Sequence, residues 1–474
     1  MLEKLKCKVE SSLIDAWKKI NDSGKGIVFI VNKSNKLVGV LTDGDIRSYL
    51  LKVNNLKISV DELMNTEFVY AFVDNKPTEI LLLFSERIKI IPIVNRKFNL
   101  VDFMEYNTSI YIPVAVPDLK GKEFEYLTDA FLSTWISSSG KYINRFEKEF
   151  AAYCNSDYGV AVSNGTVALQ LAMDVLGIGP GDEVIVPDLT FAATINTVLH
   201  RNATPVIVDI EEDSWCIDPK EIRKAITSKT KAIIPVHIYG QVCAMDEIMK
   251  IAQQHDLYVI EDCAEAHGAE FNGEKVGSIG HIGCFSFYGN KIITTGEGGM
   301  CLTNDSVLNS KMRILRDHGM SKEKRYWHDY VGYNFRMTNL QAAIGVAQLE
   351  RIEEILANRN EVEKKYKNML EGVNSIEFQR DNLFDRKKIV WFVCILMEGD
   401  RNKFIEELNK EGIDARPFFY PLSDMPIYKE YVFSNAVCKK ISAKGVNLPT
   451  NNKIEDSVIQ KIKDILLSFH NGAN

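Results

Sequence analysis

No stretch of this sequence is apolar for long enough to cross a bilayer. The longest runs, such as Ile27–Val31 and Ile389–Leu396, fall far short of the ~20 residues a spanning helix needs, so no membrane segment is expected. Paired cysteines are also lacking. The nine present are scattered, odd in number and never spaced C-x-x-C, which argues against a disulfide framework and a cysteine-bound zinc site; no metal is expected. Nor is there an excess of positive charge. The 57 Lys and Arg face 64 Asp and Glu, a net charge of −7, so the chain has no global basic footprint and nucleic acid is not an expected partner. The opening MLEKLKCKVE has neither an apolar core nor a small-residue cleavage site, so it does not read as a secretory leader, and a reducing cytoplasm is the expected address. What is present is ordinary for a globular chain, 46% hydrophobic and 26% charged. A length of 474 residues suggests about three folding units at roughly 150 residues each.

The first hundred residues read differently from the rest. Gly26–Val31 and Leu37–Leu41 are β-branched runs joined by the turn Asn32–Lys36, a hairpin pattern. Thr42-Asp43-Gly44-Asp45 then opens a helix, with Thr42 or Asp43 as its cap. A weaker copy is expected about fifty residues on, with Glu67–Phe72 extended, Pro77–Phe84 helical, and a second hairpin from Lys89–Val94 and Phe98–Phe103. VFIVNKSNKLVGVLTDGDIRSYL resembles the closing part of a CBS motif. That resemblance implies that Thr42 and Asp45 hold the ribose of a regulatory adenine nucleotide; the same two residues equally suit a plain helix cap. LVDFMEY, at the matching place of the second unit, lacks the threonine, so one nucleotide site at most is implied.

From Ile110 onward, strands alternate with amphipathic helices. Expected strands are Tyr158–Val162, Glu183–Val186, Pro205–Val208, Ala232–Val236 and Tyr258–Ile260; expected helices are Ile143–Tyr153, Thr166–Leu176 and Ala192–His200. That alternation predicts a mostly parallel sheet covered by helices, with ligands at the carboxyl ends of its strands. A long helix, Leu340–Glu371, then leads to a smaller α+β domain built on Val390–Leu396, Arg401–Glu411 and Asp456–Phe469. The expected divisions are 1–107, 108–350 and 351–474.

Three segments carry residues suited to chemistry. In YGVAVSNGT a strand passes into a helix through Ser163-Asn164-Gly165, and the free N–H groups at Gly165 and beyond make an anion site to which the Thr166 hydroxyl can add. LYVIEDCA ends a strand on two carboxylates; Asp262 could hold the proton of a pyridine nitrogen or cap a helix. CFSFYGNKIITTGEGGM delivers Ser286, then Lys291, then a glycine-rich turn. A buried lysine there could form a Schiff base, whereas an exposed one would only be a loop residue.

In this order, an anion cradle, a strand-end Asp and Ser-x-x-x-x-Lys resemble the fold type I pyridoxal-phosphate enzymes, and more narrowly the DegT-type sugar aminotransferases. TWISSSGKYINRFE, SNGTVALQLA, GDEVIVPDLTFAAT, EDCAEAHGA, SFYGNK, TTGEGGM and GYNFRMTNLQAAI carry the resemblance, which runs from about Ile110 to Pro449. It implies a large α/β domain with a small α+β domain behind it and pyridoxal 5'-phosphate as cofactor. It further implies amino transfer from L-glutamate to the C4 ketone of a nucleotide-linked 4-keto-6-deoxy sugar, GDP-4-keto-6-deoxy-D-mannose in the nearest match. A UDP- or dTDP-linked keto-sugar, a pyridoxamine-dependent sugar 3-dehydratase and a non-catalytic sensor are the alternatives; the dehydratases carry His where Lys291 stands.

Carried over residue by residue, Lys291 would bind the cofactor and move the proton, and Asp262 would pair with the ring nitrogen. Gly165, Thr166 and Ser286 would hold the phosphate, Phe191 would stack on the ring, and Glu265 would sit near the ring hydroxyl. Asn334 would reach the cofactor phosphate of a neighbouring subunit, which implies a homodimer. Arg416 could meet the sugar-nucleotide diphosphate or pair with a nearby acid, and His318 could line the substrate. His267 and His328 read as structural or substrate-lining, and Cys263 and Cys284 flank the site without an evident role.

Overall fold

The computed structural model describes residues 2–53, 58–75, 79–80, 83–85, 88–105, 112–321, 323–451 and 454–471. The chain divides into two compact units, Met1–Ile110 and Tyr111–Asn474. The boundary expected at residue 107 and part of the expected helix Pro77–Phe84 lie outside the described residues.

The first unit is built twice from one pattern. Strands β1 (Lys6–Lys8), β2 (Ile27–Val31) and β3 (Leu37–Thr42) form one sheet; β4 (Ala71–Phe72), β5 (Ile90–Val94) and β6 (Leu100–Glu105) form another. In each, the first strand runs parallel to the second and the third antiparallel to it, and the register slips after Ile30 in one hairpin and after Ile93 in the other. The hairpins therefore repeat at 93 − 30 = 63 residues rather than the expected fifty, because the equivalent points are the hairpins and not the extended segments that precede them. The two hairpins also bond reciprocally, Leu37 N–H to Phe98 O at 3.0 Å and Leu100 N–H to Asn35 O at 3.2 Å. Thr42 closes β3 and caps helix Asp43–Leu50 through a reciprocal box: the Thr42 hydroxyl accepts from Asp45 N–H at 3.2 Å, and the Asp45 carboxylate accepts from Thr42 N–H at 2.9 Å.

In the second unit the strands are β7 (Tyr158–Val162), β8 (Glu183–Pro187), β9 (Thr204–Val208), β10 (Thr230–Ile233), β11 (Tyr258–Asp262), the short pair β12 (Glu270–Phe271) and β13 (Glu274–Lys275), then β14 (Ile282–Ser286) and β15 (Gly299–Thr303). Seven of them form a sheet in the order β7-β15-β14-β11-β10-β8-β9, parallel throughout except for β15, which runs against both neighbours. Helices on both faces make every strand apolar on two sides: Phe146, Phe150, Phe285 and Phe287 fill one core, Leu171, Val198, Ile260 and Ile282 the other. The carboxyl ends of β7, β8, β11 and β14 share one edge. They deliver Asn164-Gly165, Asp188, Asp262 and Ser286 there.

The remaining strands are β16 (Ile376–Phe378), β17 (Asn382–Leu383), β18 (Arg386–Lys387), β19 (Val393–Met397), β20 (Arg416–Pro417) and β21 (Gly445–Leu448). β16-β19-β21-β20 form an antiparallel sheet packed on helices Ile352–Met369, Arg401–Lys410 and Asp456–Asn471 around Tyr366, Phe404 and Ile462. The single helix expected over Leu340–Glu371 is two, Asn339–Leu349 and Ile352–Met369. The chain breaks at Arg351, whose φ of −116° is not helical and whose guanidinium reaches Asp118 and Glu354.

β14 carries Ser286 and leads to Lys291, so its seating controls the site. A Cβ at Gly283 would lie 2.2 Å from the carbonyl oxygen of Gly277, backbone against backbone, whereas one at Gly289 would meet nothing within 4 Å. Gly283→Ala is expected to destabilise the protein by about 2 kcal/mol, as overpacking does, and Gly289→Ala to leave the midpoint of urea unfolding unchanged; equal midpoints would contradict this seating.

Candidate active site

The anion cradle begins where β7 ends. Asn164 caps helix Gly165–Val175, its side-chain oxygen accepting from Val167 N–H at 3.0 Å. At Gly165 a Cβ would come within 2.7 Å of the Ser286 Cβ, and at Gly299 one would come within 2.4 Å of the Asn164 carbonyl oxygen. β7, β15 and β14 can pack this tightly only with glycine at both crossings. The first N–H groups of an eleven-residue helix, the half-buried Thr166 and the Ser286 hydroxyl therefore converge on one spot suited to an anion.

Lys291 follows β14 through a turn, its N–H donating to Tyr288 O at 3.0 Å. Its amine lies 3.9 Å from a Glu265 carboxylate oxygen and 4.1 Å from the centroid of the Trp391 ring. The Trp391 indole N–H donates to Asn290 O at 2.8 Å, which fixes that ring beside the lysine. Glu265 is buried and accepts from Tyr239 N–H at 2.8 Å. Asp262, buried at the end of β11, accepts from the Thr194 hydroxyl at 2.9 Å and from Ala264 N–H at 3.2 Å.

Burial works against charge at all three groups. It lowers the pKa of Lys291, an effect opposed by the carboxylates of Glu265 and Asp262. It raises that of Asp262, opposed by the Thr194 hydrogen bond, and pushes Glu265 up to about 7. An uncharged Glu265 becomes accessible near neutral pH, and burial shifts Lys291 toward the uncharged amine, the form in which a lysine is a nucleophile and a proton carrier.

Period-2 alternation along β11 separates two neighbouring acids. Asp262 faces Lys291, while Glu261 is consumed structurally by N–H groups of Gly277, Ile279 and Gly280 at 2.9, 2.9 and 2.6 Å and by His237 Nε2 at 3.1 Å. His237, Glu261 and Cys263 are the one group of potential metal ligands clustered among the described residues. The other His237 nitrogen, Nδ1, already accepts from Cys243 N–H at 3.2 Å. The thiols of Cys263 and Cys284 are buried, and burial pushes their pKa values well up, which suits packing rather than nucleophilic chemistry. His267 is fully buried, held neutral by burial with a pKa of about 3, and its Nε2 lies 2.9 Å from Ser286 O.

The other expected residues have contacts of their own. Phe191 is 60% exposed and packs on Phe419 with ring centroids 5.8 Å apart. Asn334 is exposed and accepts from Arg336 Nε at 3.0 Å; His318, exposed with φ of 60°, lies 3.5 Å from Arg336 Nη2. Of the two readings open for Arg416, the contact present is the ion pair with Asp414, at 3.2 Å. Thr194, Trp391 and Tyr239 were not singled out from the sequence. Thr194 lies inside GDEVIVPDLTFAAT, but no spacing rule links a helix threonine to a strand end 68 residues later.

The residues present fit pyridoxal 5'-phosphate. A glycine-lined anion cradle, a buried amine and a buried acid face one strand-end edge, and the cradle exists only because Gly165 leaves room for Ser286. Fold and site together define a pyridoxal-phosphate-dependent aminotransferase. Residues 117–467 match the DegT/DnrJ/EryC1/StrS aminotransferase family, and the chain belongs to it; residues 1–52 match the CBS domain. The chain is 45% identical over 356 residues to GDP-perosamine synthase of Caulobacter vibrioides, covering 74% of this chain and 96% of that one. It is 41% identical to GDP-perosamine synthase of Escherichia coli O157:H7 over 76% of this chain and 99% of the relative. The UDP-N-acetyl-3-dehydro-α-D-glucosamine 3-aminotransferase of Acidithiobacillus ferrooxidans is 37% identical over 68% of this chain and 86% of its own length. Among solved structures, the PLP form of Spr1654 from Streptococcus pneumoniae superposes with a TM-score of 0.72 at 29% identity, over 76% of this chain and 99% of that one. An aminotransferase from Psychrobacter cryohalolentis gives 0.69 at 32%, over 75% and 99%. Among the described residues no helix is long and apolar enough to cross a membrane.

Glu265 makes a signed prediction. Its native pKa of about 7 lies above the ordinary 4.5, so between those values the native state binds the proton that the unfolded chain has released, and stability falls as pH rises through that window. In cofactor-free protein Glu265→Gln is expected to flatten this decline, read as the difference in melting temperature between about pH 5 and about pH 7.5. An undiminished decline would show that Glu265 is not its source.

Proposed function

We propose that this chain transfers the amino group of L-glutamate to the C4 ketone of GDP-4-keto-6-deoxy-D-mannose, giving 2-oxoglutarate and GDP-perosamine, a building block for an O-antigen or related surface glycan. The observation that carries the reading is the Lys291 amine, buried 3.9 Å from Glu265 with Asp262 at the neighbouring strand end, in a chain that matches two GDP-perosamine synthases over nearly their whole length. Bound pyridoxal phosphate supplies an electron sink for the carbon that loses its proton.

The protein's own residues do the rest. Gly165, Thr166 and Ser286 bind the phosphate, and Phe191 covers the ring face. Asp262 would keep a proton on the ring nitrogen, and Glu265 would stand by the ring hydroxyl, where its raised pKa would let it keep a proton instead of repelling the ring oxygen. Lys291 Nζ, whose pKa burial lowers, would act as the base that takes the proton from the substrate carbon and as the acid that gives it back. In an active homodimer Asn334 crosses to the partner's phosphate, which accords with its exposure here. His318 and Arg416 lie at the rim as sugar-nucleotide contacts, Arg416 after release from Asp414. The Thr42–Asp45 pair is the candidate for a regulatory nucleotide. Nine free, buried cysteines accord with a reducing cytoplasm.

The UDP-sugar relative supports a second reading, the same chemistry on a UDP-linked ketone. Product analysis after incubation with glutamate and either GDP- or UDP-linked 4-keto-6-deoxy sugar separates the two: GDP-perosamine from the first and nothing from the second is expected, and the reverse overturns the GDP assignment. Lys291→Ala is expected to lower amino transfer by about a thousandfold or more with circular dichroism unchanged. Borohydride reduction followed by peptide mapping should place the pyridoxyl tag on Lys291, and a tag elsewhere removes the assignment. If Thr42 and Asp45 hold a nucleotide, adenine nucleotides raise the melting temperature of the full-length protein and Asp45→Ala abolishes the rise; no shift with adenine or guanine nucleotides leaves the pair as a helix cap alone.

A further inference from the structure

Among the buried polar side chains around the site, two threonines form a chain that ends on Asp262. The Thr194 hydroxyl donates to Asp262 Oδ2 at 2.9 Å, and the Thr190 and Thr194 hydroxyl oxygens lie 2.9 Å apart. Both threonines are buried, at 1% and 0% exposure. An ionised carboxylate only accepts, so the Thr194 proton goes to Asp262 and the proton between the two hydroxyls comes from Thr190, whose alternative acceptor, Phe191 O, is farther away at 3.4 Å. Thr194 is also fixed through its backbone: its N–H donates to Phe191 O at 3.2 Å, and its carbonyl accepts from the Thr197 hydroxyl at 2.9 Å. One residue thus ties the loop that carries Phe191 to the strand end that carries Asp262.

We propose that Thr194 is a positioning residue of the cofactor site: its hydroxyl, oriented by Thr190, fixes the Asp262 carboxylate in the rotamer and charge state that hold the cofactor's ring nitrogen protonated. The inference rests on the reading of Asp262 as the partner of that nitrogen. Asp262 is deeply buried, and burial favours its neutral form. Its side chain accepts only the Thr194 hydroxyl and Ala264 N–H among the described contacts, and of these the hydroxyl bond is the shorter. Removing it takes away one of the two hydrogen bonds that stabilise the charged form and frees the carboxyl to rotate. A neutral Asp262 could share a hydrogen bond with the pyridine nitrogen but could not balance a pyridinium charge.

The test is made on holoenzyme loaded with pyridoxal phosphate labelled at the ring nitrogen. NMR of that nitrogen reports its protonation, and fluorescence titration reports the cofactor's dissociation constant. Thr194→Val keeps shape and volume but removes the donor; it is expected to move the resonance toward the neutral-pyridine position and to weaken cofactor binding about tenfold to a hundredfold, the effect of one hydrogen bond to a charged group. Thr194→Ser, which keeps the hydroxyl, should stay close to wild type in both readouts, and a purely steric role for Thr194 predicts no such rescue. Thr190→Val leaves the Thr194 donor in place without its orienting partner, is expected to shift the resonance in the same direction by less, and serves alone if Thr194→Val does not fold. A protonated nitrogen and unchanged affinity in both valine variants, with both properties lost in Asp262→Asn, overturn the inference and leave the reading of Asp262 intact. If Asp262→Asn also keeps both, the reading of Asp262 itself falls.

Discussion

The second unit depends on a cost that the fold imposes at one edge of its central sheet. Withdrawing Lys291, Asp262 and Glu265 from water disfavours the charged form of each, and each departs from its ordinary pKa in the direction burial dictates. The groups lie close enough to offset part of that cost, with 3.9 Å between the Lys291 amine and Glu265, yet not in an ideal ion pair that would lock the amine as ammonium. Such a balance leaves the lysine able to change protonation state. The surrounding hydrogen bonds are what make it tolerable: Tyr239 N–H on Glu265, and the Thr194 hydroxyl and Ala264 N–H on Asp262.

The geometry that brings these groups together is inherited from the sheet. Parallel strands end at one edge, so β11 and β14 deliver Asp262 and Ser286 side by side, and Gly299 on the intervening β15 lets the cradle at Asn164-Gly165 close against them. Strand alternation turns Asp262 into the site and sends Glu261 to the opposite face, where three N–H groups and His237 absorb its charge. Two adjacent acids with the same side-chain chemistry therefore acquire unrelated tasks. The aromatic wall of Tyr239, Trp391, Phe418 and Phe419 is assembled from segments about 150 to 180 residues apart, and it excludes water from the same edge.

The N-terminal unit is a different kind of construction. Its two hairpins are copies with the same strand directions, the same register slip and reciprocal hydrogen bonds between their turns. The copies are not chemically equivalent. Counting 63 residues on from Thr42 reaches Glu105, which is held in an ion pair with Lys25 at 2.6 Å, so a glutamate stands where the first repeat has its capping threonine. The two GDP-perosamine synthases match about three quarters of this chain and nearly all of their own length, and the aminotransferase family match, residues 117–467, leaves this unit outside it.

Much of this is legible in the sequence. Strand and helix order follows local apolar patterning, so most elements of the large sheet fall within one to three residues of the expected bounds, and the family motifs carry Lys291, Asp262, Ser286 and Gly165 in linear order. Local patterning could not see that Leu340–Glu371 breaks at Arg351, because the break answers to Asp118, which is more than two hundred residues away in sequence. It could not pair Thr194 with Asp262, choose Asp414 as the partner of Arg416, or place Trp391 over the lysine. Sequence by itself determined the order of elements, the chemical types at strand ends and the family, since these rest on short-range periodicity and contiguous motifs. Only the tertiary structure decided which groups are dry and which hydrogen bonds sustain them, because desolvation depends on everything packed around an atom and not on its neighbours along the chain.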